Sequence, residues 1–289
     1  MRGTSLTISG LLLLLTVPAL PQSLRLQPPA KVTAGESFTI ASSGSGTATF
    51  YLLGSSHVAK RTIHLGEDVL VPGSEVSDSG LYQAVACVAS DCSAARFVVA
   101  PSSPARLGFL VHPSRAPVST SNVINATVLV FDQFNNTLLA PTDVDLRFSP
   151  PGAASYDRNA ATHRGIAWLE IGSTPKQGQF QIVASAGSVT EPRIVQQVAS
   201  EACGLRLNGT HNGRFVRVQT EPVRDCSGNP LSDGTIVTFT KIDSEGRSTV
   251  DAPIKKGVAT AQFELSGQAR ISVACGVVLG NELSIGGRP

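Results

Sequence analysis

The chain has 289 residues, and 23 Lys and Arg nearly cancel 21 Asp and Glu to leave a net charge of +2. So balanced a chain has no electrostatic footprint for nucleic acid. With 27 Gly, 18 Pro, no long helical periodicity and short Val/Ile/Thr/Phe runs between turn residues, it is predicted to be all-β.

Residues 1–22 are expected to be a leader. MRGTSLTISGLLLLLTVPALPQS opens with Arg2, is apolar from Ile8 to Leu15, and exits through Val17-Pro18-Ala19. That is the layout of a secretory signal peptide, with cleavage expected after Ala19 or Gln22. The apolar run is too short for a membrane anchor, which needs about 20 apolar residues. No Cys follows it, against a lipoprotein, and the closing GNELSIGGRP carries no anchor or sorting motif. The mature chain is therefore expected to be secreted, periplasmic or on the cell surface, without stable membrane insertion.

Two Pro/Ser- or Ala/Ser-rich stretches, VAPSSPARL (99–107) and QQVASEACGL (196–205), divide the mature chain into 23–101, 102–199 and 200–289. Each piece has about the length of one β-sandwich. In the first, strand A is expected before a turn at Ala34-Gly35, strand B around Phe38 and Ile40, and strand C over TATFYLLG (47–54). An immunoglobulin domain would place Cys in strand B and Trp in strand C. Neither is present, so Phe50 or Tyr51 must fill the Trp place. Yet VSDSGLYQAVACVASDC (76–92) has Asp78, Gly80 and Tyr82 at the spacing of a tyrosine corner. The Tyr82 ring is expected in the core, with its hydroxyl turned back onto the preceding loop's backbone. Position 84, where the second half-cystine belongs, is Ala; Cys87 and Cys92 are expected to pair across the next hairpin instead. A C-x4-C pair with no further Cys or His nearby is a poor zinc site.

The second and third pieces repeat each other. VFDQFNNTLLAPTDVDLRF (130–148) matches VRDCSGNPLSDGTIVTF (223–239), aligning Asp132 with Asp225, Asn136 with Asn229, Leu138 with Leu231 and Phe148 with Phe239. RGIAWLEI matches KGVATAQF, and GQFQIVASAG matches GQARISVACG without a gap. Repeated blocks in one order mean a domain array. In INATVLVFD, Ile124, Ala126, Val128 and Val130 share one face of a strand, and GNPLSDG supplies a reversal.

The D-x-x-x-N-P…V-x-F block, followed by G-x-A and an I-x-V-A strand, resembles the intimin- and invasin-like bacterial immunoglobulin-like repeats over about residues 100–289. The match is good in the third piece and weaker in the second, where Thr137 replaces the Pro. The resemblance implies tandem immunoglobulin-like β-sandwiches, export, a spacer or adhesive role, and no active site.

Of five cysteines, three fall in the last piece, so at least one thiol is free or bonds another chain. Cys203, Cys226 and Cys275 fall at one pole of an immunoglobulin-like sandwich. Cys203–Cys226 is favoured because strands A and B are neighbours, with Cys226–Cys275 as its rival. His57, His64, His112, His163 and His211 are scattered, and no G-x-S-x-G elbow exists. Asp143 and Asp145 form a D-x-D without the loop of an EF-hand. No catalytic, cofactor or metal residues are therefore assigned. Sequons begin at Asn125, Asn135 and Asn208, normally unmodified in a bacterial protein. Trp168, the single Trp, sits in an alternating run that leaves it facing either core or solvent. The expected partner is an envelope protein or a surface glycan, with a polysaccharide-binding module as the alternative to a spacer or adhesive array.

Overall fold

The computed structural model describes residues 23–286; the expected leader, 1–22, lies outside the described residues. The chain divides into two compact units, one ending at Pro101 and one beginning at Ser102.

In the first unit the strands are β1 (Arg25–Gln27), β2 (Lys31–Thr33), β3 (Phe38–Ser43), β4 (Thr47–Leu53), β5 (Val58–His64), β6 (Val69–Val71), β7 (Gly80–Val88) and β8 (Asp91–Ala100). They form two sheets, β1-β3-β6 and β2-β8-β7-β4-β5, with β2 running parallel to β8. The first strand thus breaks in two and switches sheets, and the remaining order is that of an immunoglobulin sandwich. Alternation explains the layers. In β4, Ala48, Phe50 and Leu52 are buried, while Tyr51 is half-buried. Phe50, fully buried, therefore fills the place of the absent Trp. Ala84 is also fully buried, so a small apolar side chain stands where the half-cystine is missing.

The second unit contains two sandwiches. The first uses β9 (Arg106–His112), β10 (Arg115–Pro117), β11 (Ile124–Phe131), β12 (Asp143–Ser149), β13 (Tyr156–Ala161), β14 (Ile166–Ile171), β15 (Gly178–Ala186) and β16 (Val189–Val198). Its sheets are β14-β11-β9 and β10-β16-β15-β12-β13, the same order as in the first unit, again with a short parallel strand, β10 on β16. Ile124, Ala126, Val128 and Val130 of β11 are buried against Leu146, Phe148, Phe180 and Ile182. The other sandwich uses β17 (Leu207–Asn212), β18 (Phe215–Thr220), β19 (Ile236–Asp243), β20 (Gly246–Pro253), β21 (Thr260–Glu264), β22 (Ala269–Cys275) and β23 (Val278–Ile285), in sheets β17-β18-β21 and β20-β19-β22-β23. It has its own core, centred on Val218, Val237, Phe239 and Ile271. At its edge strand β23 the Asn281 side chain takes over main-chain pairing: its Oδ1 accepts the Leu207 N–H at 2.6 Å and its Nδ2 donates to the Leu207 carbonyl at 3.1 Å. Among the described residues no helix is long and apolar enough to cross a membrane.

Candidate functional site

The tyrosine corner places its ring in the core, with the hydroxyl turned toward the Asp78 main chain of the preceding loop. Tyr82 is buried and stacks on Phe97, with ring centroids 5.7 Å apart. Its hydroxyl, however, closes no hydrogen bond. Burial raises the phenol above the usual tyrosine value and the Asp78 carboxylate raises it further, while the Asp78 main-chain amide pulls it the other way without reaching hydrogen-bond geometry. Gly54 leaves a gap that the ring occupies: a Cβ there would lie 2.5 Å from Tyr82 Cε1 and 2.6 Å from Cζ. The ring is seated by this contact rather than by its hydroxyl. Asp78 instead accepts a hydrogen bond from the Ser56 hydroxyl, tying the turn before β7 to the β4–β5 loop. Gly80 has φ +146°, which a side chain would strain.

At the end of the same strand Cys87 is bonded to Cys92, across the β7–β8 turn. In the last sandwich Cys203 is bonded to Cys226 and Cys275 is free and buried. Burial pushes the Cys275 thiol above its ordinary pKa, which suppresses the thiolate needed for reaction. Cys203, Cys226 and Cys275 all line one recess of ≈ 970 Å³, together with Arg115, Pro117 and Leu231.

The most structured polar feature is the repeated Asp/Asn pair. Asp132 is fully buried; Oδ1 accepts from the amides of Phe134 and Asn136, both at 2.9 Å. Its Oδ2 accepts from Ser102 N–H at 3.0 Å and from Asn136 Nδ2 at 2.9 Å. Asp225 repeats this atom for atom: Oδ1 accepts from Ser227 and Asn229 amides at 2.9 and 2.8 Å, and Oδ2 from Ser200 N–H at 3.1 Å and Asn229 Nδ2 at 3.0 Å. Each Asp thus shapes its own turn and holds the segment that leads into its own sandwich. Burial would raise both carboxyl pKa values, but the Asn side chains and the main-chain amides outweigh it and hold them below the ordinary aspartate value.

Asn229 then reaches into the preceding sandwich. Its Oδ1 accepts from Gln177 N–H at 3.0 Å and its Nδ2 donates to the Pro175 carbonyl at 2.8 Å. Ser119 and Ser227 hydroxyls meet at 2.8 Å beside it. The receiving loop is preformed by buried Gln197, whose amide bonds Thr174 N–H at 2.8 Å, Thr174 Oγ1 at 2.7 Å and the Lys176 carbonyl at 2.7 Å. The alignment of the two repeats singles out Asp132, Asn136, Asp225 and Asn229 as shared positions but gives them no role. The signal is present all the same: an Asp repeated with an Asn four residues on is the residue pair that caps a turn from within.

Asp143 and Asp145 are exposed on β12, and Asp145 accepts from Asn159 Nδ2 at 2.9 Å. Among the described residues no cluster of His, Cys, Asp and Glu is arranged to hold a metal. Nε2 of His57 is buried without a hydrogen-bond partner. Of the sequon asparagines, Asn125 is half-buried and Asn135 and Asn208 are exposed. Trp168 points to solvent and is 58% exposed.

No protein-family model and no curated protein sequence matches the chain. Solved structures do. The chain is similar to the FdeC adhesin of Escherichia coli, with a TM-score of 0.60 and 15% identity over 93% of this chain and 97% of that one. It is also similar to invasin, described as a bacterial integrin-binding protein, with a TM-score of 0.50 and 9% identity over 90% of this chain and 58% of that one. At such identities the likeness is one of fold: the chain has the tandem immunoglobulin-like sandwiches found in intimin- and invasin-like bacterial proteins.

Proposed function

We propose that the chain is an exported, nonenzymatic array of three immunoglobulin-like domains, 23–101, 102–199 and 200–289, that serves at the cell envelope as a spacer or adhesive module. The observation that carries this reading is the Asn229 bridge to Pro175 and Gln177. A module that only holds something at a distance needs its junctions fixed, and this one is bridged by directional, part-buried hydrogen bonds from the buried Asn229 rather than left to a flexible linker. The likeness to a protein described as an adhesin supports the adhesive half of the reading. Its partner is an envelope protein or a surface glycan. The exposed Trp168 favours a second reading, a polysaccharide-binding module, because an aromatic face is a platform for a sugar ring.

Fractionation of the source cells, with protease added from outside and N-terminal sequencing of the recovered chain, tests the export. The expected result is a chain that starts after Ala19 or Gln22 and is absent from the cytosol. A cytosolic chain with its first residues intact would overturn it. Crosslinking from intact envelopes, followed by identification of the captured species, tests the rest: an envelope protein or glycan is expected, and capture of cytosolic enzymes alone counts against it.

A further inference from the structure

Trp168 stands at a boundary on the outer face of the β14-β11-β9 sheet. Register puts Leu110, Thr127 and Trp168 in one row across the three strands. The row on one side of it is His112, Asn125 and Glu170; the row on the other is Gly108, Leu129 and Ile166. His112 and Glu170 are exposed and Asn125 is half-buried, so an imidazole, a carboxylate and an amide edge the indole on one side only. Outward side chains follow every second residue of a strand, which sets Trp168 between Glu170 and the exposed Ile166 along β14. The third sandwich closes without this arrangement. In the repeat, Thr260 takes the place of Trp168, Gln262 that of Glu170 and Val258 that of Ile166. Its row Thr210, Arg217 and Gln262 corresponds to His112, Asn125 and Glu170, and its exposed Phe215 lies a row further on, beside Glu264. Neither the indole nor the carboxylate is therefore required by the scaffold. An aromatic exposed without a packing role is available for contact with a ligand.

We propose that this boundary binds a β-1,4-linked strand of N-acetylated amino sugars of the cell envelope, with one ring stacked on Trp168. The proposal rests on the reading of the chain as a polysaccharide-binding module and names its ligand. A pyranose whose substituents are all equatorial presents a face of axial C–H groups, and that face stacks on an indole. In a β-1,4-linked strand the substituents at C2 and C5 project from opposite sides of the ring. The two sides of Trp168 differ in the same sense. The methyl of a C2 acetamido group lies toward Ile166 and Leu129, and the C6 hydroxyl lies toward Asn125 and Glu170, whose carboxylate accepts its hydrogen bond. A glucose ring would turn its C2 hydroxyl onto the aliphatic side instead, where nothing pairs it. Charge narrows the class further. Besides His112, the basic side chain on the outer face of these strands is Arg106, which lies over the Phe131 ring at 5.0 Å. Glu170 beside the indole therefore repels an acidic polysaccharide. Neighbouring strands lie about 4.8 Å apart, so the row from Trp168 to Leu110 spans about 10 Å, roughly two sugar rings. Alternate rings of a β-1,4-linked strand face the same way, so the ring over Leu110 repeats the one over Trp168. One stacked ring and a few exposed hydrogen bonds make each contact weak.

Trp168, as the only Trp, reports on its own burial. Titration of the full mature chain with the β-1,4-linked hexamer of N-acetylglucosamine, up to ~10 mM, is expected to shift Trp emission to the blue and saturate. The glucose hexamer of the same linkage binds at least tenfold more weakly, and polygalacturonate produces no shift. Purified wall glycan from the source cells carries the chain down on centrifugation, and the N-acetylglucosamine hexamer competes it off. Trp168→Thr, which installs the residue the third sandwich has there, abolishes the co-sedimentation with unchanged circular dichroism. Ile166→Thr removes the preference for the acetylated hexamer over the glucose hexamer. Glu170→Ala weakens both, and Phe215→Ala changes neither. Equal binding of the two hexamers by the wild-type chain overturns the proposal, as does binding insensitive to Trp168→Thr, or hexamer binding without wall-glycan binding. Should the circular dichroism of Trp168→Thr change, the loss or survival of the preference in Ile166→Thr decides. Another polysaccharide that shifts Trp168 emission while the acetylated hexamer does not overturns the sugar class and leaves the polysaccharide-binding reading standing. Absence of any shift or co-sedimentation with every polysaccharide overturns both.

Discussion

At the scale of residues, Tyr82 and Asp225 show two ways of burying a polar atom. The Tyr82 hydroxyl is buried without closing a hydrogen bond, so removing it forfeits little. Replacing a polar group that makes no bond is nearly neutral, whereas breaking a satisfied one leaves its partner stranded. Tyr82→Phe is therefore expected to change the stability of the first unit by less than about 0.5 kcal/mol, read from denaturant unfolding. Gly54→Ala should cost about 1–3 kcal/mol, because its methyl enters the Tyr82 ring and the core must shift. Asp225 is the opposite case: its oxygens accept bonds from Ser200, Ser227 and Asn229. Asp225→Ala is expected to cost about 3 kcal/mol or more, since several donors are stranded at once. Its pH dependence comes from the lowered carboxyl pKa, shared with Asp132. A folded-state pKa below the unfolded value of about 3.9 gives stability that is complete above that value and is lost as pH falls through the folded pKa. Acid titration below about pH 4 should therefore destabilise the wild-type second unit more steeply than the Asp225→Asn variant.

At the scale of elements, alternation makes most of the sandwich legible from the sequence. Period alone assigns Ile124, Ala126, Val128 and Val130 to one face, and that face is the core. Period has less to say about edges and junctions. The short strands β2 and β10, parallel to β8 and β16, are three residues each, too short to show a pattern. Nor does it choose the face of Trp168, because β14 alternates apolar with apolar: Ile166 and Trp168 point out while Ala167 and Ile171 point in. The seat of the Tyr82 ring is illegible for a different reason. Asp78, Gly80 and Tyr82 have the right spacing, but the gap that seats the ring is made by Gly54, far away in sequence. The two disulfides differ in what they hold. Cys87–Cys92 spans 5 residues and Cys203–Cys226 spans 23. Loop entropy grows with the logarithm of span, so Cys203→Ser/Cys226→Ser should cost about 1 kcal/mol more than Cys87→Ser/Cys92→Ser. Differential scanning calorimetry of the two double variants measures the difference directly.

At the scale of the whole molecule, the second unit poses the question of how two cores come to act together. Each has its own apolar cluster, which alone would let each sandwich unfold by itself. What joins them is polar and small: Asn229 to Pro175 and Gln177, and Ser119 to Ser227. Asn229 also completes the coordination of Asp225, so one side chain belongs to the fold of the third sandwich and to the junction at once. Asn229→Ala therefore removes two kinds of bond, and the expected outcome separates them. Loss of the Asp225 contact lowers the stability of the third sandwich by about 1–3 kcal/mol, as for a buried charged group deprived of a donor. Loss of the bridge uncouples the sandwiches, so a thermal transition that is single in the wild-type unit splits into two. The control is Ser227→Ala, which removes only the hydroxyl contact to Ser119 and keeps the amide bond to Asp225. It should narrow the coupling without shifting the third sandwich, because an exposed hydroxyl pair is worth no more than about 1 kcal/mol. Were the wild-type unit already to melt in two steps, and Asn229→Ala to move only the second, Asn229 would be a residue of the fold alone, and the rigidity required of a spacer would have to come from elsewhere.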